Sequence, residues 1–104
     1  MADRPLVSII VATINTPRLT RACLRSVIKN TSIPYELIAV NNSRASAIRQ
    51  CLQEFKGKSL RVIQNPRNLG YTKAANQGAL VSRGEYLCFL NSDTLVPPRW
   101  LERL

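Results

Sequence analysis

The stretch Leu6-Val7-Ser8-Ile9-Ile10-Val11-Ala12 decides the fold, because it is nearly continuous in branched apolar residues. A strand covered on one face alternates apolar and polar residues, whereas a strand covered on both faces is apolar throughout. The stretch therefore predicts a strand that is buried on both faces. Glu36-Leu37-Ile38-Ala39-Val40 repeats the pattern and predicts a second strand of the same kind.

A helix is predicted between these two strands. Thr16 followed by Pro17 is typical of an N-cap with proline at the first helical position, and the pattern continues to about Asn30. Basic residues recur on one face (Arg18, Arg21, Arg25 and Lys29) and apolar residues on the other (Leu19, Cys23, Leu24, Val27 and Ile28). We expect a solvated outer face over a core stripe; contact with a membrane surface or a partner is the alternative.

The remaining sequence continues this alternation of helix and strand. The predicted elements are a helix through Ile48, Leu52 and Phe55 that ends near Gly57, a strand over residues 60–63, a helix over residues 69–82 capped by Asn68 and ended by Gly84, a strand over residues 86–90, and a last helix opened by Pro97-Pro98. Such an order indicates the α/β class, with a mainly parallel four-stranded sheet and helices on both faces.

Length and composition favour one folded domain over residues 1–104, with 45% hydrophobic and 20% charged residues. No apolar run approaches the roughly 20 residues of a membrane span, and the N-terminus lacks the layout of a signal peptide. We therefore expect a cytoplasmic chain, peripheral to the inner face of a membrane if the basic helix face binds lipid. The last helix carries Trp100, Leu101 and Leu104 on one stripe and then breaks off, which predicts a truncated chain.

Several classes of chemistry are excluded by what the composition lacks. The chain has no histidine and three cysteines without C-x-x-C spacing, which argues against zinc sites and catalytic triads. Cys23, Cys51 and Cys88 are predicted to be core thiols on two helices and a strand. Neither G-x-G-x-x-G nor G-x-x-x-x-G-K-[ST] occurs, which argues against a dehydrogenase or a kinase.

The net charge of +9 calls for an anionic partner. Nucleic acid would favour basic residues interleaved with aromatics, but the basic stripe of the first helix contains none, so we expect no nucleic-acid partner. A phosphorylated small molecule remains as a partner of the right charge.

Ligands of parallel sheets bind outside the carboxyl ends of the strands, and the residues there are small and polar. Thr13 and Asn15 follow the first strand, Asn41, Asn42 and Ser43 the second, and Asn91, Ser92 and Asp93 the fourth. Such side chains can contact a flat base or a ribose without filling the crevice, although each is also an ordinary turn former.

Asp93 is the one carboxylate predicted at a strand's carboxyl end. A lone carboxylate can hold Mg²⁺ or Mn²⁺ when a diphosphate and waters supply the other oxygens. The alternative is a residue that closes a turn.

Two segments carry a family resemblance. VSIIVATIN (residues 7–15) resembles the first strand of family 2 glycosyltransferases of the GT-A fold, and NPRNLGYTKAANQGALVSRGEYLCFLNSD (residues 65–93) resembles the segment leading to that family's D-x-D metal motif. The most specific parts are Asn68-Leu69-Gly70, Asn76-Gln77-Gly78 and Gly84-Glu85-Tyr86 through Thr94. The resemblance covers nearly the whole chain and implies the Rossmann-like, nucleotide-sugar-binding half of a GT-A domain.

The resemblance also implies roles for individual residues. Thr13 and Asn15 would line the base pocket, Lys73 would reach the pocket or the diphosphate, and Asp93 would hold Mg²⁺ or Mn²⁺. Asn41 stands where many relatives have an aspartate that contacts the uracil ring or ribose. An asparagine can donate as well as accept a hydrogen bond, so the resemblance does not imply a uridine nucleotide. The metal motif is reduced to Asn91-Ser92-Asp93, a form shared with rhamnosyltransferase-like members.

The activity implied is transfer of a hexosyl or deoxyhexosyl group from a nucleotide-diphosphate sugar, with inversion, to a saccharide or lipid-linked acceptor. Inversion needs a general base at the acceptor hydroxyl, and we expect that base, with the acceptor site, beyond Leu104. The fragment alone is then expected to be inactive and to self-associate through uncovered edges. The alternatives are a non-catalytic nucleotide- or sugar-binding module and, more remotely, a basic nucleic-acid-binding domain.

Overall fold

The computed structural model describes residues 5–57 and 60–104. Its elements are β1 (Val7–Thr13), α1 (Pro17–Asn30), β2 (Tyr35–Asn41), α2 (Ser46–Gln53), β3 (Leu60–Gln64), α3 (Tyr71–Val81), β4 (Tyr86–Asn91) and a short 3-10 helix, Leu101–Arg103. The strands form one parallel four-stranded sheet in the order β3-β2-β1-β4, which confirms the predicted architecture. The predicted domain also includes residues 1–4 and 58–59, which lie outside the described residues.

Alternate residues of β1 serve two separate cores. Ile9 and Val11 pack with residues of α1 and α2 on one face of the sheet, whereas Ile10 packs with Ala74 of α3 on the other. Because both faces are covered, neither set of alternating positions can be polar along the middle of the strand. The two-sided burial predicted from the apolar run is confirmed, with helices on both faces.

A buried carboxylate joins the amino ends of the strands. Glu36 of β2 accepts hydrogen bonds from the hydroxyl of Ser8 on β1 and from the backbone N–H of Arg83. Its other oxygen accepts from Nη1 of Arg61 on β3 at 3.2 Å. Gly84 N–H donates to Ser8 Oγ at 2.8 Å, so the segment that leads into β4 is tied to the same group. We call these five residues the amino-end lock.

Three predicted helix boundaries differ from the structure. Helix α2 ends at Gln53 rather than near Gly57, because the chain leaves the helix in a turn at Glu54 and Phe55. Helix α3 begins at Tyr71 rather than Leu69, because Asn68 Oδ1 accepts the Gly70 N–H at 2.9 Å and Gly70 takes φ +88°. The asparagine therefore caps a turn before the helix. After Pro97-Pro98 no regular α-helix follows in the described residues, since Arg99 has φ 60° and interrupts the right-handed backbone.

The end of the chain is nevertheless anchored in the core. Trp100 is 7% exposed and belongs to the cluster on the α1 and α2 face. Its Nε1 donates to Thr31 Oγ1 at 2.9 Å, while Asn30 Nδ2 donates to the Val96 carbonyl at 2.8 Å. The segment after β4 is thus held against the C-terminal end of α1.

The outer face of α1 is basic, as predicted. Arg18, Arg25 and Lys29 are exposed, whereas Arg21 makes a two-pronged contact with Glu54, at 3.1 and 2.8 Å. No helix of the described part is both long and apolar enough to cross a membrane. Contact of this face with a membrane surface stays a prediction.

The cysteines lie on α1, α2 and β4, where they were predicted, and are free thiols. Burial raises the pKa of Cys51 and Cys88, and raises that of Cys23 to about 11. Such thiols stay protonated at neutral pH and behave as small apolar core groups.

Candidate functional site

A cavity of about 310 Å³ lies at the carboxyl edge of the sheet, outside β1 and β4. These strands are neighbours in the sheet, so the loops that follow them meet there. The lining residues are Ala12, Ile14, Thr16, Leu19, Asn42, Tyr71, Asn91, Ser92 and Asp93. The volume is at the low end of the range for small-molecule sites, about 300–1,000 Å³, and suits part of a larger ligand.

Asn91, Ser92 and Asp93 are brought together on one wall of this cavity. Asn91 ends β4, and the turn after it is closed by the Thr94 N–H, which donates to the Asn91 carbonyl at 3.1 Å. The backbone closes this turn. Within the described residues the exposed Asp93 carboxylate has no hydrogen bond or salt bridge, so both of its oxygens are free to bind a ligand.

The donor set fits a metal only if a ligand completes it. Among residues 5–57 and 60–104 no group of three or more His, Cys, Asp or Glu side chains could hold a metal ion. Asp93 alone would supply one hard oxygen ligand, which is how Mg²⁺ is commonly held when phosphate oxygens and waters supply the rest. The residues present therefore fit a cation shared with a diphosphate.

Thr13 and Asn41 lie away from the cavity wall. Both are fully buried, and they are partners in the β1–β2 register. Thr13 Oγ1 lies 2.9 Å from Thr20 Oγ1, and Asn41 Nδ2 donates to Gln64 Oε1 at 2.8 Å. Asn41 Oδ1 accepts the Ser43 N–H at 3.0 Å. Both side chains are engaged within the fold, and their assignment as ligand residues stays a prediction.

Asn15 and Lys73 are both exposed and do not line the cavity. Asn15 lies in the loop between β1 and α1, and Lys73 in the first turn of α3. Lys73 is two residues from Tyr71, which does line the cavity, so its long side chain starts near the site. Their contact with a ligand also stays a prediction.

The structure adds two apolar residues to the site, Ile14 and Tyr71, and corrects the place of a third, because Leu19 was predicted on the core stripe of α1 and lines the cavity instead. Ile14, Leu19 and Tyr71 line the cavity, yet they are 52%, 51% and 52% exposed. Half-exposed apolar side chains around one cavity are suited to a flat aromatic ring, which stacks on such surfaces. The signal available in the sequence was the position of Ile14 directly after β1.

Asn42 lines the cavity in place of its neighbour Asn41. Successive residues of a strand point to opposite faces, so only one of two adjacent asparagines at a strand end reaches the same side. Asn42 is 3% exposed, and its amide is hydrogen-bonded to the loop before α3. A polar group held this firmly on a cavity wall is suited to fix the orientation of a ligand.

An open parallel sheet with such a cavity at its carboxyl edge defines the doubly wound class of α/β protein, whose ligands bind at that edge. The particular family is shown by sequence: residues 8–104 match the family model for glycosyl transferase family 2, and the chain belongs to that family. This confirms the family that residues 7–15 and 65–93 indicated.

Individual relatives agree with the family match. The chain is 32% identical over 108 residues to an uncharacterized glycosyltransferase of Methanocaldococcus jannaschii, covering 97% of this chain and 36% of that protein. It is 31% identical over 103 residues to the EpsH protein of Bacillus subtilis, covering 98% of this chain and 30% of that protein. The chain thus spans about a third of the length of the curated relatives it matches.

Solved structures support the fold. S. aureus TarS in complex with UDP-GlcNAc aligns with a TM-score of 0.83 at 26% identity, over 93% of this chain and 29% of TarS. A mannosyltransferase of Pyrobaculum calidifontis aligns with a TM-score of 0.81 at 21% identity, over 93% and 30%. The predicted Rossmann-like GT-A architecture is confirmed.

Proposed function

We propose that this chain is the part of a glycosyltransferase that binds the donor, a nucleotide-diphosphate sugar. The base lies against the apolar wall formed by Ile14, Leu19 and Tyr71, and the diphosphate lies beside Asp93. The observation that carries the proposal is the free Asp93 carboxylate on a cavity wall outside the strand ends. S. aureus TarS, similar over 93% of this chain, has been solved with UDP-GlcNAc.

Mg²⁺ or Mn²⁺ would be held between Asp93 and the diphosphate. A bound cation would offset the charge that develops on the leaving diphosphate when the sugar is transferred. Asn91 and Ser92 lie on the same wall, and their side chains can donate hydrogen bonds to phosphate or sugar oxygens.

The other described carboxylates cannot act in this cavity. Glu36 is buried in the amino-end lock, and Glu54 is paired with Arg21. Glu85 directly precedes β4 at the opposite edge of the sheet, and Glu102 accepts a hydrogen bond from Ser32 at 3.3 Å. The general base for inverting transfer and the acceptor site, for a saccharide or a lipid-linked acceptor, are therefore assigned to parts of the protein outside residues 5–57 and 60–104. The rhamnosyltransferase-like character stays a prediction.

Calorimetric titration of UDP and GDP tests the proposal. Wild type should bind at least one of them more tightly with Mn²⁺ or Mg²⁺ than with the metal chelated, and Asp93→Asn should remove most of that difference. Glu85→Gln is the matched control, because it removes one exposed carboxylate at the opposite sheet edge. Equal metal dependence in wild type and Asp93→Asn would withdraw the metal assignment.

Tyr71→Ala tests the apolar wall in the same titrations. It should weaken nucleotide binding by roughly tenfold with or without metal, because stacking on an aromatic ring is worth about 1–3 kcal/mol. Tyr86→Ala is the control, since Tyr86 is 64% exposed and lies at the amino end of β4. Equal affinities of the two variants would refute the placement of the base.

A further inference from the structure

The basic face of α1 continues onto α2. The two helices pack against each other on one face of the sheet, where both contribute to the larger core. Arg18, Arg25 and Lys29 on α1 are exposed, and so are Arg49 on α2 and Lys56 just after it. We call the outer side of these two helices, with these five residues, the basic layer.

The positive charge of the basic layer is not balanced by acidic residues. Helices α1 and α2 contain no acidic residue, and Glu54 at the end of α2 is paired with Arg21 at 2.8 Å. None of the five basic residues forms a salt bridge within the part of the chain that the structure describes. Helix α3, on the opposite face of the sheet, carries a single charged residue, Lys73. Of the two helix layers, the one formed by α1 and α2 therefore carries the excess charge.

The basic residues are close enough together to act as one charged surface. Helix α1 has 14 residues, so it is about 21 Å long at about 1.5 Å per residue. Packed helices lie about 8–10 Å apart, so the spacings within the layer are comparable with the Debye length, about 10 Å at 0.1 M ionic strength. The five charges therefore add up in the potential that a large anionic partner meets.

We propose that the basic layer is a contact surface for a membrane that contains anionic phospholipids. Such a membrane presents a broad array of negative charges, to which basic residues on a helical surface are attracted. Four of the seven basic residues and the break between the helices lie on one broad face rather than in a groove, so the layer suits a surface better than a small ligand. Nucleic acid is the less suitable partner, because neither α1 nor α2 contains an aromatic residue on which a base could stack.

The contact would bring the cavity close to the lipid. Leu19 lies in the first turns of α1 and lines the cavity, so the cavity adjoins the basic layer at the N-terminal end of that helix. A protein held on a membrane through this layer therefore has its cavity near the lipid surface, where a lipid-linked acceptor would be. This consequence rests on the proposed function, whereas the membrane contact itself does not.

Co-sedimentation with lipid vesicles tests the contact. The chain should bind vesicles that contain phosphatidylglycerol and not vesicles of phosphatidylcholine alone, because only the former carry net negative charge. Binding should weaken as the salt concentration rises from about 0.1 M toward about 1 M, since the Debye length falls from about 10 Å to about 3 Å. Absence of binding to the anionic vesicles at low salt would overturn the proposal, as would equal binding to both kinds of vesicle.

The double variant Arg25→Gln, Lys29→Gln tests which surface makes the contact. Each basic residue near an anionic membrane strengthens binding by about fivefold, so the double variant should bind about 25-fold more weakly. Both residues are exposed and glutamine has a similar helix propensity, so urea unfolding should match that of wild type.

The matched control is Arg67→Gln, Lys73→Gln. It removes the same charge from exposed positions in the loop before α3 and on α3 itself, away from the basic layer. It should weaken vesicle binding by less than about threefold, because charges more than a Debye length from the membrane are screened. Equal losses in the two double variants would mean attraction by net charge alone, and would overturn the assignment to the basic layer.

Duplex DNA is the competing anionic partner. When it is added to the vesicle-bound chain at an equal concentration of accessible phosphate, the chain should stay on the vesicles. Release of the chain by DNA would make the basic layer a nucleic-acid surface, and the membrane assignment would then be wrong.

A fluorescent label on the basic layer gives a second measurement in which no charge is changed. Ala22 is exposed on α1 between Arg18 and Arg25, so a label on Ala22→Cys should move to a less polar environment, with a shift to shorter wavelength, when anionic vesicles are added. The same label on Asn76→Cys, exposed on α3, should not shift. No shift at position 22, or a shift at position 76 that is as large, would overturn the basic layer as the contact surface.

Discussion

Replacing Glu36 by glutamine should cost about 2 to 3 kcal/mol of folding stability at pH 7. The carboxylate is 7% exposed and accepts from the Ser8 hydroxyl and the Arg83 N–H through one oxygen. Glutamine can keep both bonds through its carbonyl oxygen, but each loses its charge assistance, a difference of about 1 kcal/mol per bond. Its NH₂ group would then face Nη1 of Arg61, and because Arg61 is 46% exposed the lost ion pair adds only about 0.5 kcal/mol.

The charge on Glu36 also makes the stability of the fold depend on pH. Burial acts to raise the pKa of Glu36, but hydrogen bonds from Ser8, the Arg83 N–H and Arg61 outweigh it and lower the pKa below its ordinary value. A lowered folded-state pKa gives stability that is present above the unfolded pKa, about 4.3, and is lost as the pH falls through the folded pKa. The stability difference between wild type and Glu36→Gln should therefore be full near neutral pH and shrink below about pH 4.

Urea unfolding at pH 7, 5, 4 and 3 measures this difference, with the fluorescence of Trp100, the single tryptophan, as the probe. Glu85→Gln is the control, because Glu85 is exposed and its loss should change stability by less than about 0.5 kcal/mol. A Glu36→Gln deficit that is the same at pH 3 and pH 7 would refute the ionic account of the amino-end lock. If Glu36→Gln were as stable as wild type at pH 7, the amino-end lock itself would be refuted.

Two further predictions concern packing and association. Gly84→Ala should lower the free energy of unfolding by about 1–3 kcal/mol, measured in urea. The reason is that the added Cβ would lie 2.6 Å from Ser8 N and 2.8 Å from Val7 C. Unchanged stability would contradict this close approach. The chain should self-associate with rising concentration in analytical ultracentrifugation, because β4 is an edge strand without charged residues whose Leu87 and Phe89 are 43% and 47% exposed. Phe89→Lys should reduce that association, and a wild type that stays monomeric at high concentration would refute it.

The order of strands and helices was predictable because the apolar patterns are strong and unambiguous. Continuous branched residues predicted β1 and β2 as strands covered on both faces, and helical stripes predicted α1 and α2. Topology followed from the rule that alternating strands and helices give parallel sheets with helical crossovers. The helix ends depended on single residues. Because Gly70 takes φ +88°, α3 begins later than predicted, and because Arg99 takes φ 60°, the last helix is not continuous.

The residues that line the cavity were harder to predict. A strand that is apolar throughout has no alternation of apolar and polar residues that would assign each residue to one face of the sheet. Thr13 and Asn41 were selected for their chemistry, yet they lie on the α1 and α2 side of the sheet with Ile9 and Val11. The cavity is lined by residues one position away, Ala12 and Ile14 on β1 and the loop after it, and Asn42 after β2. Moving one position along a strand places the side chain on the opposite face of the sheet. Only the packing of the two helix layers shows which residues lie on which face.

The amino-end lock and the hydrogen bond between Asn65 and Asn42 were also not predictable, for a related reason. Glu36 and Arg61 are 25 positions apart in sequence, and Asn65 and Asn42 are 23 apart, so their pairing depends on strand register. Glycine at position 84 was expected only to end a helix. The structure shows instead that the backbone of Ser8 leaves no room for a side chain there.

The charge of the site makes the metal and the diphosphate proposals depend on each other. Asp93 and a diphosphate are both anionic, and two unit charges about 4 Å apart repel by about 1 kcal/mol even in bulk water, more at a protein surface. Without a cation, Asp93 should therefore weaken diphosphate binding, and Asp93→Asn should bind UDP about threefold to tenfold more tightly than wild type in chelator. With Mn²⁺ present the order should reverse, because the carboxylate then holds the ion that the diphosphate shares. A residue that only shapes the turn after β4 would change both affinities in the same direction. Titrations of the two proteins with and without metal thus give a crossing pattern or a parallel one, and a parallel pattern would refute the role of Asp93 as a metal ligand.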